Sequence, residues 1–107
     1  MIIKPYALAA AIALSMAVAS PAMAGPDEDM AKAGCMACHT KDKKLVGPSF
    51  KDIAAKYQGQ DVTAKLVEKV RKGGSGSFGP IPMSPTGPDK ISDDALKGAI
   101  QSILKTA

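Results

Sequence analysis

Large aromatic side chains are scarce in this chain: 107 residues hold no tryptophan, two phenylalanines, two tyrosines and a single histidine. Beyond residue 24 only Phe50, Tyr57 and Phe78 remain, too few bulky rings to fill an interior unaided. Cysteine is limited to Cys35 and Cys38, so the two separated ligand pairs of a structural zinc site cannot be assembled. No convincing alternating stretch of strand length occurs, which removes the βαβ frame that a thioredoxin-like dithiol requires. There is no long basic block and no aromatic interleaving of a nucleic-acid surface. The formal charge of +4, from 14 Lys and Arg against 10 Asp and Glu, is only mildly basic. Internal repeats and low-complexity segments are also missing.

Residues 1–24 contain the one extended apolar run. Lys4 precedes an Ala-rich stretch from Ala7 to Ala19, and the segment closes with Ala22-Met23-Ala24. This pattern predicts a secretory signal peptide cleaved between Ala24 and Gly25, exporting residues 25–107 to the periplasm. The run is short for a membrane span and is broken by Pro21, so no stable membrane insertion is expected. The exported part is one small domain. Chains of this size lean on disulfides, metals or cofactors, and a large apolar cofactor would make good the missing aromatics.

The periodicity predicts an all-α domain of four short helices. Pro26 and the acids Asp27, Glu28 and Asp29 suit a helix start, and this helix is expected to run into Cys35. Ser49 and Asp52 form a cap ahead of Ile53, Ala54, Ala55 and Tyr57. A third helix fits Asp61–Lys72, with Val62, Leu66, Val67 and Val70 on one face and Lys65, Glu68, Lys69, Arg71 and Lys72 mostly outward. The last starts near Ser92 and carries the stripe Leu96, Ile100, Ile103 and Leu104. Residues 73–88 read as a structureless loop, stiffened by Pro80, Pro82, Pro85 and Pro88. Loops of that length in small domains are usually functional.

The chemistry concentrates in AGCMACHTK, residues 33–41. A plain disulfide at this spacing is sterically tight and leaves His39 without a role. Cys-x-x-Cys-His is instead the signature of covalent c-type haem attachment. The spacing sets Cys35 and Cys38 one turn apart for two thioether bonds, with His39 on the same side as proximal iron ligand. Export agrees with this, since a covalently held cofactor cannot be lost from the cell. A haem with one protein ligand activates small molecules, whereas one with two carries electrons. Met30 and Met36 lie too near His39 in sequence to reach the opposite face. Met83, in Gly79-Pro80-Ile81-Pro82-Met83, belongs to no helical stripe and is held by flanking prolines, which points to the second axial ligand. Soft sulfur favours Fe(II), so His39/Met83 ligation raises the reduction potential and leaves no open position for a substrate.

With these residues in view the chain resembles the small bacterial class I cytochromes c of the short cytochrome c-551 type. The resemblance spans residues 27–106 through CMACH, LVGPSFKDIAAKY, GSGSFGPIPMSP and SDDALKGAIQSIL. It implies one haem c wrapped by the four helices and the Pro-rich loop, thioethers at Cys35 and Cys38, and His39 and Met83 as the metal ligands. It further implies that the Pro48 carbonyl accepts the free imidazole N–H of His39. Lys69 stands where relatives often carry Arg near a haem propionate, and a single ammonium cannot make the bidentate contact. Phe78 stands where members commonly have Trp and has no N–H to donate. Thr86 replaces a family Asn beyond Met83.

The function expected is a soluble, monomeric periplasmic electron shuttle cycling between Fe(III) and Fe(II), not an enzyme. Its implied partners are transient: a donor of the quinol–cytochrome c reductase type and a terminal oxidase or nitrite reductase as acceptor. Ala37, Ile81 and Pro82 would ring the exposed haem edge. Lys41, Lys43, Lys44 and Lys72 either steer acidic partners or form an ordinary solvated surface. The alternative is a haem-based enzyme or gas-binding module in which Met83 leaves the iron.

Overall fold

A computed structural model describes residues 25–106. The expected signal peptide and its cleavage point therefore lie outside the described residues, apart from Gly25. Helix α1 (Pro26–Lys32) opens with Pro in its first turn and three acids facing the positive end of its dipole. Helix α2 (Phe50–Lys56) is capped by Ser49, whose hydroxyl accepts from Asp52 N–H at 3.1 Å. Helix α3 (Thr63–Lys72) follows an uncapped Val62. Helix α4 (Asp93–Leu104) is capped by Ser92, which accepts from Ala95 N–H at 3.2 Å.

Helix α4 is the centre of the packing and touches α1, α2 and α3. Its period brings Leu96, Ala99 and Ile100 inward against Met30 of α1, Phe50 of α2 and Ile91 of the loop before α4. Leu66, Val67 and Val70 of α3 pack on this cluster half-buried, as do Ile103 and Leu104. The stripes expected on α3 and α4 are therefore the faces used, with Ala99 added as a close-approach position. Among the described residues no helix is long and apolar enough to cross a membrane.

Two expectations are corrected. Helix α1 does not run into the cysteine motif. It stops at Lys32, Gly34 reverses the chain with φ 85°, and Cys35–Ala37 form a separate 3₁₀ turn. That left-handed conformation is accessible to glycine at little cost, so Gly34 aims the motif independently of α1. Residues 73–88 are also not without secondary structure. Strands β1 (Gly74–Gly76) and β2 (Gly79–Met83) form an antiparallel hairpin, pairing Gly74 with Met83 and Gly76 with Gly79 around an irregularity. Their residues are exposed except Met83, so no buried face imposes the apolar alternation by which a strand is read.

Candidate haem site

The 3₁₀ turn places Cys35 and Cys38 half-buried, with their sulfurs unjoined. Burial pushes the Cys35 thiol up from its ordinary pKa, opposed by its own backbone hydrogen bond and reinforced by neighbouring Cys38. His39 N–H donates to the Cys35 carbonyl at 3.0 Å, closing a turn that keeps both cysteines and the histidine on one short segment. The zinc alternative finds no support in this arrangement. Among the described residues no three His, Cys, Asp or Glu side chains gather as a metal site.

The orientation of the imidazole is set from three sides. Its Nδ1 lies 2.7 Å from the Pro48 carbonyl oxygen. A carbonyl only accepts, so Nδ1 carries a proton and donates, and in the neutral ring Nε2 keeps its lone pair. The ring stacks on Phe50 with centroids 5.7 Å apart and planes at 22°. On another side stands Gly47, where a Cβ would fall 2.5 Å from His39 Cε1 and 2.9 Å from Nδ1. The imidazole thus lies directly against bare backbone, which Gly47 N–H ties to the Cys38 carbonyl at 2.8 Å.

Cys35, Cys38, His39 and Pro48 line a single cavity of about 680 Å³, and Met83 and Lys69 line it too. The structure therefore brings together at one cavity all six residues singled out from the sequence. Met30 is buried in the core, whereas Met36 is exposed on the surface. Lys69 is half-buried, and its Nζ lies over Gly74, 3.1 Å from where a Cβ would stand. Phe78, at the hairpin tip, meets Tyr57 edge-on at 6.3 Å. Lys56 covers it, its Nζ 4.4 Å from the Phe78 centroid and donating to the Ser77 carbonyl.

Three residues in or beside the site escape a reading by local pattern. Gly47 looks like an ordinary turn residue, and only the tertiary contact shows that the imidazole needs its missing side chain. Gly73 looks like a helix stop. It does end α3, but with φ 69°, and a Cβ there would lie 2.4 Å from the Met83 carbonyl oxygen. Arg71, expected to point mostly outward, instead turns along the protein with its side chain only 17% exposed. Its position four residues after Val67, at the margin of the apolar stripe, is the signal that would have found it.

The donor set suits a large flat prosthetic group. Two cysteines, a histidine and a methionine line one mostly apolar cavity, within the roughly 300–1,000 Å³ usual for ligand sites. The family model for cytochrome c matches residues 28–105. Cytochrome c2 of Rubrivivax gelatinosus is 51% identical over 84 residues, covering 78% of this chain and 99% of its own length. Cytochrome c-551 of Pseudomonas aeruginosa is 44% identical over 103 residues, covering 94% and 96%. The crystal structure of Nitrosomonas europaea cytochrome c552 superposes with a TM-score of 0.68 at 39% identity, covering 76% of this chain and 99% of that one.

Proposed function

Since the chain belongs to the cytochrome c family, and so carries a covalently attached haem c and transfers electrons, we propose that it is a soluble periplasmic carrier whose iron is held by His39 and Met83. The observation that carries this reading is the shared cavity, lined both by His39, with its Nε2 lone pair free, and by the Met83 segment. Cys35 and Cys38 are the thioether anchors, and Lys69 is the cation for a propionate. When bound, the haem supplies an iron that alternates between Fe(III) and Fe(II).

The chain's own residues keep that change small in structural terms. Pro48 holds the Nδ1 proton, which makes Nε2 a better donor and prevents the ring from turning. Phe50 and the bare Gly47 backbone bracket the same ring. An imidazole held this firmly would need little reorganisation per electron. With His39 and Met83 both holding the iron, no position would be left open to a substrate.

Docking would use the cavity rim, where Val46 is 52% and Ile81 53% exposed. Lys41, Lys43 and Lys44 stand exposed in the loop next to it. This combination suits brief encounters with an acidic partner: charges raise the rate of approach, and a small apolar rim lets the complex part again. The partners proposed are a quinol–cytochrome c reductase as donor and a terminal oxidase or nitrite reductase as acceptor.

Absorption spectroscopy of the haem-loaded protein tests the ligation. A ferric sulfur–iron charge-transfer band that disappears in Met83→Ala is expected. A ferric spectrum without that band, or rapid CO uptake by the ferrous protein, would favour a gas-binding or catalytic haem and overturn the carrier reading. Intact mass tests export: one haem added to residues 25–107 is expected, and retention of residues 1–24 contradicts cleavage.

A further inference from the structure

Residues 84–92 join Met83 to helix α4, and this segment has little apolar anchorage of its own. Ser84, Pro85, Pro88, Asp89 and Lys90 are exposed, and Ile91 is its one buried side chain. Polar ties to the last turns of α3 hold it instead. Thr86 N–H donates to the Val70 carbonyl at 2.9 Å. Arg71 Nη1 donates to the Thr86 carbonyl at 3.2 Å, while Nη2 donates to the Ile91 carbonyl at 2.8 Å and to Asp93 Oδ1 at 2.6 Å. One planar guanidinium thus bridges both ends of the segment and the first turn of α4. Two residues further on, the Gly73 backbone lies directly against the Met83 carbonyl.

A thioether is a weak donor, so its residence on iron depends on how firmly the surrounding chain presents it. Opening free energies of local segments follow from their contacts, and here two of the three hydrogen bonds between α3 and the segment come from one side chain. Charge-assisted bonds to carbonyls are stronger than neutral ones, and the fork of Arg reaches acceptors that one ammonium cannot reach together. We propose that Arg71 is a positioning residue that fastens the 84–92 segment to α3 and thereby sets how often Met83 leaves the iron. This rests on the reading of Met83 as distal ligand.

The test uses the haem-loaded protein and measures CO uptake by its ferrous form, which must wait for Met83 to depart, beside the ferric sulfur–iron band. Losing charge-assisted bonds to two carbonyls should make Arg71→Met take up CO about tenfold faster or more. Asp93→Asn removes only the exposed ion pair, and a change of roughly twofold is expected. Lys51→Met, which severs the surface pair with Asp42 elsewhere on the fold, serves as control and should match the parent. Arg71→Met uptake at the parent rate with an intact band would overturn the proposal, as would an equal acceleration in Lys51→Met. If Arg71→Met fails to retain haem, Arg71→Lys takes its place: a rise of about threefold supports the role, and the parent rate rejects it. A parent protein that lacks the band shows that Met83 is not the ligand, and both readings then fall. A parent with the band and an unmoved Arg71 series rejects the strap alone.

Discussion

At Gly47 the smallest possible change meets the least tolerant surroundings. A methyl group there would stand 2.5 Å from His39 Cε1, so either the imidazole or the loop must move. Gly47→Ala should cost roughly 1–3 kcal/mol, as overpacking does elsewhere, and should disturb the Nδ1–Pro48 bond. A lower Tm together with a shifted reduction potential is the expected outcome; an unchanged potential would mean that the loop, not the ring, had given way. Surface charges behave differently. Asp42 titrates below the ordinary aspartate range because Lys51 donates to its carboxylate at 2.9 Å. Its folded pKa is depressed, so the pair's contribution is present above the ordinary aspartate pKa and fades as pH falls through the lowered one. In Lys51→Met the Asp42 midpoint, followed by carboxyl NMR, should return upward, and added salt should diminish the difference.

Among the elements, the caps belong to local sequence and are testable one at a time. Ser49 is 2% exposed and Ser92 is on the surface, yet each hydroxyl accepts the same kind of first-turn N–H. Replacing either by Ala should cost about 1 kcal/mol. In a domain this small that corresponds to a fall in Tm of roughly 4–8 °C. Ser49→Ala should also affect the haem site, because Ser49 directly follows Pro48. The Ser49 cap was legible, and so was a helix start near Ser92, because a cap is a bond across three residues. The hairpin was not, since its strands are mostly glycine, serine and proline, Met83 alone is not exposed, and their pairing depends on Gly74 meeting Met83 nine positions away. Separation of the cysteine turn from α1 was equally hidden. Nothing in the apolar pattern distinguishes a helix that continues through Gly34 from one that ends before it.

Across the whole molecule, the cavity decides what the fold requires. Left dry, a space of about 680 Å³ would cost on the order of 16 kcal/mol at about 24 cal/mol per Å³. Part of it opens to solvent, so that figure is a ceiling, of the same order as the ~5–15 kcal/mol that stabilises a whole domain. The helices also share a modest buried cluster: Met30, Phe50, Ile91, Leu96, Ala99 and Ile100. A Cys35→Ala/Cys38→Ala double variant produced without haem should therefore lose cooperative thermal unfolding, measured by circular dichroism, while the haem-loaded parent keeps it. A sharp unfolding transition in the haem-free variant would show that the protein core suffices alone.

What the sequence determined by itself is local. Cys35, Cys38 and His39 act within five residues, Ser49 and Ser92 cap the turns that follow them, and the stripes of α3 and α4 repeat every three to four positions. Their chemistry is therefore written contiguously, and the scarcity of aromatics already asked for a cofactor. What only the tertiary structure decided is every contact between segments distant along the chain. His39 rests on the bare backbone of Gly47, the α3 terminus closes on Met83 at Gly73, and Arg71 turns inward to tie residues 86, 91 and 93. These depend on which faces α4 brings together, and a backbone carbonyl as acceptor has no sequence signature. The anchor could be read from its letters; the way the segment after Met83 is tied to α3 could not.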